Sequence, residues 1–237
     1  MAYHGCYPFM LNILKACYAR PIILEIGIDK GQTLIPLMHH LRMNYPVFSL
    51  HGVDIKIRDE LKIILHSMSY DTDPEKQIIT IDERNSLEAF PEIGELLGER
   101  TKVFDMILLD GDHNYYTVQK ELFYSKDFLA PGGLIIADDY DIDSDEYFAS
   151  AEGYEDNELA TSVRQSDEGG VRRAVDEFLD KNPDFDIFKP FVHYEPVFLY
   201  RKGEWAFMHG DLSNTHERQC DFHWKNLIRD RNAGVSP

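Results

Sequence analysis

Two short acidic segments carry the clearest chemical signal in the chain. Leu108-Leu109-Asp110-Gly111-Asp112-His113 closes one apolar run, and Ile135-Ile136-Ala137-Asp138-Asp139-Tyr140 closes the next. If those runs are neighbouring parallel strands, both segments sit at one edge of a sheet, and Asp110, Asp138 and Asp139 converge. Three uncompensated carboxylates in one cleft repel and raise one another's pKa. A divalent cation relieves this, and an all-oxygen donor set with open positions suits Mg²⁺, Mn²⁺ or Ca²⁺. A set of solvated loop-tip acids in an acidic protein is the competing reading.

A second constellation stands earlier. Glu25-Ile26-Gly27-Ile28-Asp29-Lys30-Gly31 spans a strand-to-helix junction with the pattern E-x-G-x-x-x-G. Glycine allows a tight turn there and a close approach of the backbone to a ligand, and the following helix offers unpaired N–H groups. The dinucleotide fingerprint G-x-G-x-x-G is not matched, because Asp29 stands where its second glycine would. A pyrophosphate would meet a carboxylate, so a ligand carrying an amine or sulfonium fits better. The next run ends in Gly52-Val53-Asp54, which puts an acid where ribose hydroxyls are held in open α/β sheets.

Three further patterns are weaker. Asp141, Asp143, Asp145 and Glu152 match positions 1, 3, 5 and 12 of a calcium loop, but Glu146 replaces the glycine needed at position 6. A flexible acidic lid is the better reading of that stretch. His216, Cys220 and His223 share one helical face without a clear fourth zinc ligand. The aromatic stretch from Phe185 to Tyr200 is explained by a packed edge hairpin.

Positioning these groups requires strands alternating with helices. Apolar runs are found at Pro21 to Gly27, Val47 to Ile55, Gln77 to Ile81, Val103 to Leu109 and Leu134 to Ala137. Between them, helical spacing marks Gln32 to Leu41, with Pro36 in the first turns, then Asp59 to Met68, Ser86 to Leu97 and Tyr115 to Phe128. Pro131-Gly132-Gly133 reads as a turn into the fifth strand. Val171 to Leu179 is a helix, and Phe185 to Phe191 with Pro196 to Arg201 forms a closing antiparallel pair. The expected fold is α/β with a mostly parallel sheet.

Of 237 residues, 43% are hydrophobic and 12% aromatic, enough for a substantial core. Against 42 acidic residues stand only 24 basic ones, a net charge of −18 that disfavours nucleic acid or an anionic membrane as partner. No apolar run approaches the roughly 20 residues of a membrane helix, and the N-terminus lacks the pattern of a secretory signal. Cys6, Cys17 and Cys220 form no framework and suit a reducing cytosol. Association with a second copy of the chain stays open.

The ordered series ILEIGIDKGQT, GVDI, FDMILLDGDHNYYTVQKELF, LAPGGLIIADDY and GVRRAVDEFL resembles the class I S-adenosylmethionine-dependent methyltransferases. It is most similar to the metal-dependent small-molecule O-methyltransferases, including the macrolide-sugar branch. The resemblance covers roughly residues 20 to 202. It implies a Rossmann-like sheet of seven strands, mostly parallel, with helices on both faces and the last strand antiparallel. It divides the chain into an N-terminal lid segment at 1–20, a methyltransferase domain at 21–202 and a tail at 203–237. By family motif, Glu25, Gly27 and Gly31 line the methionine part of the cofactor, with Thr33 and Asp110 also at the cofactor. Asp54 holds the ribose, and Asn85-Ser86 lies by the adenine, although the family more often has an acid before that serine. Asp110, Asp138 and Asp139 supply the metal ligands; their spacing of 28 residues from Asp110 to Asp138 agrees with that branch. Asp110 and His113 become the candidate catalytic bases; His113 is otherwise a substrate contact, or else the cap of the following helix. The implied reaction is methyl transfer to a small-molecule hydroxyl, with Mg²⁺ the expected metal. The alternatives are a nucleoside-binding module without transfer activity, or a methyltransferase for another acceptor. A nicotinamide dehydrogenase lacks its glycine fingerprint here. An N-methyltransferase or nucleic-acid methyltransferase lacks an N-P-P-Y segment.

Overall fold

The computed structural model of the chain describes residues 7–69, 76–96, 103–140, 170–189 and 196–204. In chain order these form α1 (Tyr7–Cys17), β1 (Ile22–Ile26), α2 (Leu34–Asn44), β2 (Phe48–Asp54), α3 (Asp59–Ser69), β3 (Gln77–Glu83) and α4 (Ser86–Leu96). They continue with β4 (Phe104–Leu109), α5 (Tyr115–Phe128), β5 (Leu129–Ala137), α6 (Val171–Lys181), β6 (Phe185–Phe188) and β7 (Val197–Arg201). Every expected helix and strand within these residues is present. Pro36 falls in the first turn of α2, where a missing N–H is harmless.

The strands form one sheet in the order β3-β2-β1-β4-β5-β7-β6. β1, β2, β3, β4 and β5 pair in parallel, and β7 runs antiparallel to both β5 and β6. This is the Rossmann-like, mostly parallel sheet with an antiparallel last strand that was expected. The centre is β4, buried at all six positions because helices cover both faces. At the free edge β3 alternates between half-buried and exposed residues.

The two faces carry separate cores. On one, Ile23, Leu50, Met106 and Ile136 pack under α1, α2 and α3 through Leu14, Leu37 and Leu61. On the other, Leu24, Ile107, Leu109 and Ile135 pack under α4, α5 and α6 through Phe90, Leu122 and Val175. Phe90 and Phe104, both fully buried, meet edge to face with centroids 6.1 Å apart. Burying each such ring stabilises the fold by about 1.5–3 kcal/mol.

Two expectations change. The fifth strand was expected from Leu134, after a turn at Pro131-Gly132-Gly133. Instead β5 begins at Leu129 opposite Phe104, and pairing resumes with Leu134 opposite Met106, so the extra residues bulge out of the strand. The bulge is tied down from both sides: Tyr18 Oη donates to the Gly132 carbonyl at 2.7 Å, and the Gly132 N–H donates to Glu204 Oε2 at 2.6 Å. The N-terminal stretch expected as a lid is α1, and its Met10, Ile13, Leu14 and Cys17 belong to the core. Residues 1–6, the acidic stretch 141–167 with its calcium-loop pattern, and the tail with His216, Cys220 and His223 lie outside the described residues. Among the described residues, no helix is long and apolar enough to cross a membrane.

Candidate active site at the switch between β1 and β4

Strand order reverses between β1 and β4, since β2 and β3 extend one way and β5 the other. Loops leaving the carboxyl ends of two such strands diverge and open a crevice, where open α/β sheets bind ligands. The two strand ends are pressed together here. Gly27 adopts φ +86°, and a Cβ placed on it would lie 1.9 Å from the Asp110 carbonyl oxygen. Only glycine fits both the dihedral and the clearance.

Glu25, the last acid of β1, is buried, and its carboxylate accepts the backbone N–H of Leu34 at the start of α2. Thr33, buried beside it, makes no side-chain cap, so Glu25 serves that helix end. Its Oε2 has no partner among the described residues. Burial, then the charges of Asp110 and Asp54, push the Glu25 carboxyl well above its ordinary range. A cationic group arriving here would meet an unsatisfied acid.

Asp54, at the end of β2, does more than the sequence indicated. Its Oδ2 accepts the N–H groups of Ile28 at 2.8 Å and Asp29 at 2.9 Å, and its Oδ1 accepts that of Lys56 at 2.9 Å. The acid expected at the ribose therefore shapes the β1–α2 loop first, with roughly one of four carboxylate lone-pair sites left for a ligand hydroxyl. Asp29 turns through φ 44° and pairs with Arg58 at 2.5 Å on the surface, so the charge argued to repel a pyrophosphate has a counter-ion. Gly31 is buried against α3: a Cβ there would lie 2.7 Å from Leu61 Cδ1. We expect Asp54→Ala to lower stability of the cofactor-free protein by about 1.5–3 kcal/mol, the range for hydrogen bonds to a charged group. A urea midpoint unchanged from wild type would show that the loop does not need this carboxylate.

Asn85 and Ser86 open α4. The Asn85 side chain accepts the Leu87 N–H at 2.9 Å, and Ser86 Oγ donates to Glu121 Oε1 on α5 at 2.6 Å. Glu121 was not singled out from the sequence. The available signal was its position on the apolar face of α5 with Val118, Leu122 and Ser125.

At the ends of β4 and β5 the four expected residues meet. His113 Nδ1 lies 2.8 Å from Asp139 Oδ2 and its Nε2 lies 3.6 Å from Asp110 Oδ1. Asp138 hydrogen-bonds to Asp110. Burial, then the charges of Asp110 and Asp139, hold the Asp138 carboxyl well above its ordinary range; burial also raises Asp110, against the pull of His113. Asp138 is thus the proton-bearing partner of the pair. The cap of α5 is Asn114, whose side chain accepts the Tyr116 N–H at 2.8 Å, with Asp112 accepting from Thr117 Oγ1 at 2.8 Å. His113 is therefore not the helix cap, and its ring is turned to the carboxylates. Next along the chain, Tyr140 Oη donates to Asp176 on α6 at 2.7 Å, with Lys189 Nζ 4.5 Å from its ring centroid.

The oxygen-rich, buried, mutually repelling donor set fits the chemistry of a hard divalent cation. The spatial arrangement is a separate matter: among the described residues no group of three or more His, Cys, Asp or Glu is set out to hold one. The hydrogen bond between Asp138 and Asp110 relieves part of the repulsion.

Residues 24–140, the β1 to β5 segment that builds this crevice, match the family model of a methyltransferase domain. This segment is a methyltransferase domain of the S-adenosylmethionine-dependent kind. No curated protein matches it significantly. Among solved structures it is similar to CalS11, described as a TDP-rhamnose 3′-O-methyltransferase of calicheamicin biosynthesis, at 15% identity and TM-score 0.58, covering 86% of this chain and 81% of that one. It is also similar to MycE of the mycinamycin biosynthetic pathway, solved with Mg and SAH, at 16% identity and TM-score 0.52. That match covers 97% of this chain but 55% of MycE, so the chain spans about half of that protein. The Podospora anserina methyltransferase PaMTH1, solved with SAH, matches at 14% identity and TM-score 0.50, over 85% of this chain and 80% of that one. At these identities the likeness is one of fold.

Proposed function

We propose that the protein transfers a methyl group from S-adenosylmethionine to a hydroxyl oxygen of a small molecule, with a sugar or another natural-product-like acceptor as the substrate class. The observation that carries this reading is the imidazole of His113, held 2.8 Å from Asp139 and 3.6 Å from Asp110 at the carboxyl ends of β4 and β5. CalS11, described as a TDP-rhamnose 3′-O-methyltransferase, and MycE, solved with Mg, favour a sugar-like acceptor and a metal.

The cofactor supplies an electrophilic methyl carbon on a sulfonium. Glu25, with one buried oxygen lacking a partner, receives a cationic end of the ligand. Gly27 lets the backbone approach it, while Gly31 and Thr33 set the start of α2. Asp54 takes a ribose hydroxyl with its remaining capacity, and Asn85-Ser86 borders the adenine. His113 is the base. With Nδ1–H donating to Asp139, Nε2, 3.6 Å from Asp110, would take the acceptor's hydroxyl proton while the oxygen bonds to the methyl carbon and the carbon–sulfur bond breaks, leaving SAH. Asp110 orients and compensates the imidazolium that results. Asp110, Asp138 and Asp139 are the residues that would hold Mg²⁺, whose chemistry is to acidify and orient a hydroxyl. The remaining contribution is alignment of oxygen, carbon and sulfur in a crevice that excludes water.

In this reading the domain spans 21–202, with 1–20 as a cap whose helix α1 is anchored in the core. The net charge of −18 favours a small acceptor over nucleic acid, and the cysteine usage favours the cytoplasm.

Titration with S-adenosylmethionine, SAH, NAD and ATP tests the cofactor. We expect SAH to bind with micromolar affinity, about −8 kcal/mol, and NAD and ATP not to bind. NAD binding without SAH binding would replace this reading with that of another nucleotide-binding module. Chelation should abolish methyl transfer and Mg²⁺ or Mn²⁺ should restore it. Turnover that survives exhaustive chelation would leave His113 as base and remove the metal.

A further inference from the structure

Glu121 is an acid in an apolar place. It lies on the buried face of α5, 1% exposed, between Val118 and Ser125. Its Oε1 accepts the Ser86 hydroxyl at 2.6 Å, and its Oε2 has no partner among the described residues. Ser86 is the first residue of α4, directly after Asn85, whose carbonyl accepts the N–H groups of Glu88 and Ala89. The single bond therefore joins the first turn of α4 to the middle of α5, the helix that begins just after His113.

We propose that Glu121 is a positioning residue: through Ser86 it fixes the first turn of α4, and with it the nucleoside end of the cofactor crevice, relative to the β4–α5 loop that carries Asp110 and His113. This rests on the reading above, in which Asn85-Ser86 borders the adenine.

The electrostatics agree with a role other than stabilising the fold. Burial pushes the Glu121 carboxyl up to about 8; Ser86 and the charge of His113 lower it, and the charge of Asp112 raises it. From the sheet, β4 and β5 present only apolar side chains such as Ile107 and Ile135 to this layer. On α6, Glu177 is held by Tyr115, Arg173 and Lys181, and on α4 Glu88 faces solvent. An acid whose folded pKa lies above its unfolded value takes up a proton on folding. Its contribution is complete below about 4.5, and is lost as pH rises from there to about 8. At neutral pH Glu121 therefore costs stability that a glutamine in the same place would not, as groups at functional sites commonly do.

The test compares SAH affinity of the full chain at pH 7 in wild type, Glu121→Gln, Glu121→Leu, Ser86→Ala and the Ser86→Ala/Glu121→Leu double variant, together with their melting temperatures. The glutamine amide oxygen accepts the Ser86 hydroxyl as the carboxyl does, so Glu121→Gln should keep wild-type affinity and melt higher than wild type. Glu121→Leu should fold and bind SAH about tenfold more weakly, and adding Ser86→Ala to it should weaken binding no further. Full affinity in Glu121→Leu, or a loss in Glu121→Gln equal to that in Glu121→Leu, would overturn the proposal. If Glu121→Leu does not fold, Ser86→Ala decides, and wild-type affinity in it overturns the proposal. Failure of wild type to bind SAH would remove the cofactor reading and this inference with it; wild-type binding with full affinity in these variants removes the inference only.

Discussion

Replacing His113 with alanine is expected to lower kcat by about 10²–10⁴-fold, the usual contribution of a general base, and to leave SAH affinity unchanged. The geometry gives this variant its specificity. The imidazole is held by Asp139 at 2.8 Å and by no helix-capping duty, since Asn114 caps α5. The comparison variant is Asp139→Asn. If Asp139 serves only to orient the imidazole, its loss should cost less than that of His113, because a base without its partner still accepts protons. If it also holds Mg²⁺, its loss should cost more and raise the Mg²⁺ concentration needed for half-maximal rate. The His113 variant should keep the wild-type metal dependence. Steady-state kinetics over a Mg²⁺ series separates the two. A His113→Ala enzyme within threefold of wild type would exclude the imidazole as the base.

Gly27→Ala is expected to lose about 2–6 kcal/mol of stability and all measurable SAH binding. Roughly 1–3 kcal/mol comes from forcing a non-glycine residue to a positive φ. A similar amount, about 1–3 kcal/mol, comes from overpacking. The neighbour in question is backbone: the Asp110 carbonyl oxygen, 1.9 Å from the added carbon. Backbone at the end of a fully buried central strand has nowhere to go, so the β1–α2 loop must lift from β4 and the crevice must change shape. Denaturant unfolding gives the first number and calorimetry the second. Gly31→Ala is the useful control, because its added carbon meets the ends of the Leu61 and Ile35 side chains, which can rotate. A Gly27→Ala protein as stable as wild type would mean that the two strand ends are not in contact.

What the sequence determined by itself were local periods and the chain order of chemical groups. Apolar runs bounded by glycine and proline marked β1 and β4, because a strand buried on both faces has no polar alternation to hide. Helical spacing marked α5 from Tyr115 to Phe128, as observed. Since parallel strands all end at the same edge, Asp54, Asp110 and Asp138 were bound to share that edge as soon as their strands were recognised. Contacts between distant segments carry no such period, and only the tertiary structure decided them. The start of β5 at Leu129 depends on a bulge held by Tyr18, 114 residues earlier in the chain. The choice between cap and base for His113 turned on Asn114 taking the helix end, a matter of one backbone dihedral and two competing polar side chains. Gly31 became a packing glycine because α3 crosses it, and Asp54 a loop anchor because β2 ends beneath two free N–H groups of the β1–α2 loop. Glu121 reads as an ordinary helix acid until α4 and the sheet close around it, because burial is a property of the assembled layers and of no single segment.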